Sequence, residues 1–290
     1  MDQRILDLAA EHNVKIMPLI VNSGEGSFDN ELIKKILENE TARKRSIEMM
    51  IILAKQFKFY GWQFDIENLH IEDKELFTQY YKETAEAFHK DGLKLSAAVV
   101  HKIAATPGPN SYHNFLFEEW RAGYDLKAMA EVSDFLSIMT YDQHTRRTPP
   151  GPVAGFSWVE SVVKYMIEEG VTPNKISLGL PTYSVYWFPD YTSAKGGFVN
   201  AKHLDYCDAV GLADRYSAKL MWLEKQGCYY TFWENGGVFE YLFLEDAKSF
   251  ETKLKLLPKY KLRGISVWRF GSEDPKVWEV MSDNLKPITW

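Results

Sequence analysis

Apolar and polar positions along this chain switch between two periods, and the switches predict its elements. Ile5, Leu6, Leu8 and Ala9 recur at helical spacing, so residues 2–12 read as a helix. The apolar run 14–21 predicts a buried strand, and 22–27 a loop. Helices are expected at 30–38 and 41–57, the second with Ile, Met, Leu and Ala on one face. Residues 59–68 predict a strand. Leu76, Tyr80, Ala85, Ala87 and Phe88 then make 73–91 an amphipathic helix closed by Gly92. A strand at 93–100 precedes a long loop with Pro107, Gly108, Pro109, Tyr112, His113, Phe115 and Trp120, then a short helix at 126–132. Further strands are expected at 135–142, 175–183 and 263–270, with helices at 157–169 and 274–281.

Strands alternating with helices predict a parallel sheet with helical crossovers. Asn22, Glu67, Tyr141, Asp142, Tyr183 and Trp268 all fall at carboxyl ends of these strands, where a (β/α)8 barrel or an open α/β sheet builds its site. Neither G-x-G-x-x-G nor a P-loop occurs, which counts against a nucleotide-binding sheet. The span 184–244 is too long for a connecting loop and must carry its own structure. Short strands are expected there at 219–223, 228–233 and 238–243, with Glu234-Asn235-Gly236-Gly237 as a hairpin turn. A helix at 245–260 returns to the main fold.

Composition narrows the classes. A chain of 290 residues with net charge −6 is large enough for a sizeable core and has no basic cluster for nucleic acid. Every long apolar run is broken by charge, so no membrane span is expected. Asp2, Arg4 and Asp7 interrupt any leader core, so no signal peptide is expected at this start. Cys207 and Cys228 lack metal-ligand spacing; free thiols are favoured over one disulfide. Nine Trp and sixteen Tyr suit a carbohydrate site, although most such rings serve as core.

The strand 59–68 carries the sharpest chemistry. Successive side chains of a strand alternate faces, so Gln63, Asp65 and Glu67 share one and Trp62, Phe64 and Ile66 the other. Asp65 and Glu67 then lie about 6.6 Å apart along the backbone. Two carboxylates on a mostly buried strand resist joint ionisation, and one that keeps its proton is a general acid. Solvated acids at a loop mouth fit an isolated D-x-E equally well. The remainder of the chain tips the balance.

Gly61-Trp62-Gln63-Phe64-Asp65-Ile66-Glu67 resembles the D-G-x-D-x-D-x-E signature of glycoside hydrolase family 18, the chitinase family. Met139-Thr140-Tyr141-Asp142 is similar to that family's sixth-strand motif, Leu178–Tyr183 to its seventh and Gly264–Trp268 to its eighth. Four motifs in order span most of the chain, nearest to the bacterial branch of spore-cortex and cell-wall hydrolases. The resemblance implies a single catalytic barrel domain over 1–290, with a small α+β insertion at 184–244 between the seventh and eighth strands. It implies hydrolysis of β-linked N-acetylglucosamine glycans, chitin-like or peptidoglycan, by a substrate-assisted retaining route. Glu67 takes the role of general acid, Asp65 that of holding the N-acetyl group and Tyr141 that of hydrogen-bonding it. Asp142 would contact the sugar and Trp268 stack beneath it, with Gln63, Met139 and Tyr183 also lining the cleft. Gln143 and His144 would line it too, or bond within their loop. No cofactor and no metal is implied, and no His/Cys/Asp cluster points to one. The partner is a polysaccharide or oligosaccharide, and the expected place of work is extracellular or periplasmic.

Two departures stand out. Tyr60 and Gln63 occupy the positions of the signature's first two acids, and Gln63 can hydrogen-bond Asp65 but not exchange a proton with it. Only six barrel strands are counted, matching the family's third to eighth. This leaves three readings: a fragment, strands recruited by self-association, or closure by another route. The competing function is a non-catalytic chitinase-like binding protein, for which Gln63 speaks and intact Asp65, Glu67 and Tyr141 do not.

Overall fold

The computed structural model describes residues 2–24, 27–190 and 198–287. Glu25 and Gly26 of the first expected loop, and 191–197 of the expected insertion, lie outside them. The chain forms two compact units, Met1–Ile138 with Tyr165–Ile176, and Met139–Lys164 with Ser177–Trp290.

In the first unit the elements run α1 (Gln3–Glu11), β1 (Leu19–Val21), α2 (Asn30–Leu37), α3 (Glu40–Phe57), β2 (Gly61–Asp65), α4 (Lys74–Lys90), β3 (Lys94–Val100), α5 (Ser111–Leu116), α6 (Leu126–Val132) and β4 (Phe135–Met139). The strands follow one another in the order β1-β2-β3-β4, with β1 parallel to β2 and β2 parallel to β3. Gly61 sits opposite Lys94, where a Cβ would stand 1.9 Å from the Lys94 carbonyl oxygen, so only glycine fits. Phe64 is fully buried among Tyr80 and Tyr81 of α4, an aromatic layer that fixes β2 against the helix. The buried face of α4 is Phe77, Tyr80, Tyr81, Thr84, Ala85 and Phe88; Leu76 and Ala87 are only half-buried.

Three expectations are corrected here. The first strand covers only Leu19–Val21, and Leu19 and Val21 are exposed rather than buried. Pro18 cannot donate to a ladder, and β1 stands at the end of the strand order, so among the described residues its outer side pairs with no strand. Residues 14–18 lie outside the strand, although the backbone N–H groups of Tyr60 and Gln63 donate to the carbonyls of Ile16 and Pro18. The long loop after β3 contains α5, capped by the Asn110 side chain accepting from the His113 amide, and a π-helical turn at Phe117–Arg121.

The chain passes through α7 (Phe156–Glu168) and then β5 (Ile176–Pro181). The rest of the second unit is β6 (Ser184–Asp190), β7 (Phe198–Leu204), α8 (Tyr206–Arg215), β8 (Met221–Leu223), β9 (Cys228–Asn235), β10 (Val238–Leu244), α9 (Ala247–Leu254), α10 (Leu256–Tyr260), β11 (Gly264–Trp268) and α11 (Val277–Asn284). β11 pairs in parallel with β5. A separate antiparallel sheet has the order β7-β6-β10-β9-β8. Its β9–β10 turn is the expected one: Asn235 pairs with Val238, and Gly236 and Gly237 take φ +63° and +85°, as a two-residue hairpin of this twist requires. The expected strands at 219–223, 228–233 and 238–243 are present, but β6, β7 and α8 were not anticipated. Lys253 and Glu245 form a fully enclosed ion pair at 2.7 Å, with Ser249 also donating to Glu245. Both cysteines are free, Cys228 buried and Cys207 exposed.

Candidate active site

The alternation read from the sequence holds through the end of β2. Phe64 and Ile66 are buried while Gln63, Asp65 and Glu67 lie half-buried on the other face. The Gln63 amide donates to Ser96 Oγ at 2.8 Å and to Ser137 Oγ at 3.0 Å. Both its N–H groups are therefore committed to serines of β3 and β4, and the anticipated Gln63–Asp65 bond from them is not made. Asp65 Oδ1 is enclosed and, among the described residues, has no hydrogen-bond partner. Burial pushes this carboxyl up from 3.8 to about 6. Desolvation, not the neighbouring acid, gives Asp65 its affinity for a proton.

Glu67 lies just beyond the strand, and its backbone is held on every side. Buried Asn22 works as a peptide mimic: its Nδ2 donates to the Glu67 carbonyl at 2.8 Å and its Oδ1 accepts the Glu67 amide at 3.0 Å. The Tyr124 hydroxyl, wholly buried, donates to the Ile66 carbonyl at 2.6 Å. Its pKa is pushed well above the tyrosine range by burial and by the charges of Glu67 and Asp65, so it stays a donor. Asn68 takes φ +53° and its amide donates to the Phe28 carbonyl at 2.8 Å. Asn22 was legible only as a polar strand end. Tyr124, Ser96 and Ser137 carried no sequence signal, because what they do depends on contacts made across distant strands.

The second unit gathers the other expected residues. Met139 ends β4 and is buried. Asp142 takes φ +56°, and its Oδ1 accepts from the Tyr183 hydroxyl at 2.6 Å. The Tyr183 ring lies 6.5 Å edge-on from Tyr141 and 4.4 Å from His203, whose Nε2 stands 3.4 Å from Asp142 Oδ1. His203 comes from β7 and was missed, since nothing predicted that strand. Gln143 Oε1 accepts from the Gly155 backbone N–H at 2.7 Å, and the Gln143 backbone N–H donates to the Val153 carbonyl. His144 Nδ1 sits 3.1 Å from the Pro149 carbonyl, and burial holds its pKa below the usual value. These two side chains brace the loop after Asp142. Trp268 is 46% exposed, its carbonyl accepting the Thr182 amide at 2.9 Å. Trp187 and Trp233 are core, Trp222 lies under the Lys248 ammonium at 3.8 Å, and Arg146 and Arg147 are exposed.

Comparison with known proteins supplies the family. Residues 3–273 match the family model described as "Glycosyl hydrolases family 18". The cortical fragment-lytic enzyme of Bacillus subtilis (strain 168) is 28% identical over 282 residues, covering 97% of this chain and 62% of that protein. The crystal structure of the spore cortex-lytic enzyme SleL of Bacillus megaterium QM B1551 superposes with TM-score 0.85 at 25% identity, over 98% of this chain and 62% of that one. The chitinase of Chromobacterium violaceum ATCC 12472 matches in fold, with TM-score 0.84 at 24% identity, over 98% of this chain and 84% of that one. The chain thus spans less than two thirds of the length of the cortex-lytic relatives. Parallel strands with intervening helices and these neighbours make the fold an α/β barrel of the TIM type. With a family model matched over nearly the whole chain, the protein belongs to the glycosyl hydrolases family 18.

Proposed function

We propose that this protein is a glycoside hydrolase that cleaves β-linked glycans containing N-acetylglucosamine, using the substrate's own acetamido group as nucleophile. The observation that carries the reading is the pair of acids at the carboxyl end of β2. A carboxyl with one oxygen unpartnered and a pKa raised to about 6 stands two residues before a carboxyl on a clamped backbone. Asp65 is poised to accept a hydrogen bond from a ligand, and Glu67 to carry a proton to one.

In the reaction, the Glu67 carboxyl donates its proton to the glycosidic oxygen as the bond from that oxygen to the anomeric carbon breaks. The acetamido carbonyl oxygen attacks the same carbon and closes an oxazolinium ring. Asp65, ionised at neutral pH, accepts from the acetamido N–H and balances the positive charge. The Tyr141 hydroxyl donates to the acetamido oxygen and orients it. Water then attacks the anomeric carbon, giving its proton to the Glu67 carboxylate, and the ring opens with retained configuration. Trp268 offers an exposed ring for the sugar face, and Asp142, Tyr183, Gln63 and Met139 are the further side chains we assign to the substrate. Gln143 and His144 act through the loop they brace. We take residues 1–290 as one catalytic domain, with 184–244 as an insertion within it.

Replacing Glu67 with Gln tests the assignment. Release of a chromophore from an N-acetylglucosaminide is expected to fall at least about a thousandfold, and activity within tenfold of the parent would sink it. A second reading, a non-catalytic binding protein, draws on Gln63, whose amide is tied to Ser96 and Ser137 and takes no proton from Asp65. Calorimetric binding of N-acetylglucosamine oligomers without cleavage after long incubation would favour it.

A further inference from the structure

His203 reaches Asp142 and Tyr183 from β7, and packing fixes it without enclosing it. In the antiparallel pair of β6 and β7 it stands opposite Val185, while Ala201 stands opposite Trp187. Val185 and Trp187 belong to a buried cluster with Tyr183 and Val153, against which Ala201 also packs. The imidazole rests at the rim of that cluster, its centroid 4.4 Å from the Tyr183 ring. A ring seated on a close-packed neighbour keeps its place. Even so, 52% of the His203 side chain is exposed, beside an Asp142 side chain that is 44% exposed.

Two groups converge on one oxygen of Asp142. The Tyr183 hydroxyl donates to Oδ1 at 2.6 Å, and His203 Nε2 faces the same Oδ1 at 3.4 Å. Holding Asp142 in place does not require both, since Tyr183 already satisfies Oδ1 and an exposed ion pair adds little stability. Two polar atoms are left over. Among the described residues neither Asp142 Oδ2 nor His203 Nδ1 has a hydrogen-bond partner. A carboxylate only accepts, so the ring nitrogen facing it, Nε2, carries hydrogen whether the imidazole is neutral or charged. Nδ1 then accepts a hydrogen bond in the neutral ring and donates one in the charged ring. A hydroxyl answers both states, because it donates and accepts. An ether or ester oxygen only accepts, and the neutral ring offers it nothing.

We propose that His203 is a further substrate residue of this site, its Nδ1 taking a sugar hydroxyl next to the group that Asp142 Oδ2 holds. The substrate is then a glycan whose hydroxyl at that place is free, and one O-alkylated or O-acylated there is refused. This rests on the glycosidase reading and deepens it by adding a residue and a requirement on the sugar.

Calorimetry on the Glu67→Gln protein, where cleavage is silenced, tests the inference. The probes are the N-acetylglucosamine tetramer and its derivatives O-methylated at one hydroxyl position at a time. The tetramer is expected to bind about five- to tenfold more tightly than at least one derivative, the scale of one hydrogen bond lost at a polar partner. Adding His203→Phe keeps a ring on Tyr183 and removes both nitrogens. It should weaken the tetramer by that same factor and leave that derivative within about twofold. Adding His203→Gln, whose amide still meets a hydroxyl, should retain part of the tetramer's advantage. If His203 only held Asp142 in place, His203→Phe would weaken the tetramer and every derivative by one common factor. That result, or no loss on the tetramer, overturns the inference and leaves the glycosidase reading standing. Equal binding of the tetramer and all its derivatives, which needs no variant at His203, overturns it too. Failure of the Glu67→Gln protein to bind the tetramer removes the glycosidase reading, and this inference with it.

Discussion

Asp65 holds its proton to about 6 because one carboxyl oxygen is enclosed and meets no donor. That has a sign that can be worked out for stability. Below about 3.8, the ordinary aspartate value, the folded and unfolded chains both carry the proton. Between 3.8 and about 6 only the folded chain does, so stability falls as pH rises through this window and stays low above it. Asp65→Asn removes the buried charge. At pH 8 it is expected to be more stable than the parent by at most about 3 kcal/mol, reduced by the solvent access Asp65 retains. The advantage should shrink toward pH 4. Thermal unfolding at both pH values checks this, and an equal gain at the two would rule out burial as the cause. The sequence placed this acid on the right face with the right neighbour, because strand alternation is local. It did not reveal what tunes it. Gln63 stands two residues away and looks like the natural partner, yet its amide goes to Ser96 and Ser137, 33 and 74 residues along the chain.

Among the elements, the strongly periodic segments were legible and the exceptions have identifiable causes. The helix α6 and the strand β3 stand where apolar spacing put them. β1 shrank because a proline interrupts its ladder, and α5 was hidden by the Pro107-Gly108-Pro109 cluster ahead of its Asn110 cap. β6 was masked by its junction with β5, since Thr182 and Tyr183 continue an apolar run across the break between them. Two predictions belong to this scale. Gly61→Ala forces a methyl onto the Lys94 carbonyl and must part β2 from β3, at a cost of about 3 kcal/mol or more in urea unfolding. A loss under 1 kcal/mol would show that the strands yield readily. Asn22 joins the end of β1 to the Glu67 peptide, and Asn22→Ala removes both of those bonds. A positioning role predicts a kcat about tenfold lower with KM within about twofold, together with faster hydrogen exchange at the Glu67 amide. Unchanged exchange at that amide would refute the clamp, whatever the rate does.

For the molecule as a whole, net charge decides how it meets a polymer. At pH 7 the chain carries −6, so a glycan studded with carboxylates is repelled at long range. Repulsion between exposed charges fades beyond a Debye length, about 30 Å at 0.01 M salt but about 8 Å at 0.15 M. Raising salt across that range should therefore lower KM for an intact acidic glycan by about two- to fivefold, through faster encounter. KM for neutral chitin oligomers should stay constant, since this repulsion does not act on them. Initial rates on the two substrates at matched pH measure this directly. If salt instead weakens binding of the acidic glycan, a positive surface field must dominate its approach, and repulsion by net charge is the wrong account of this protein's encounter with its substrate.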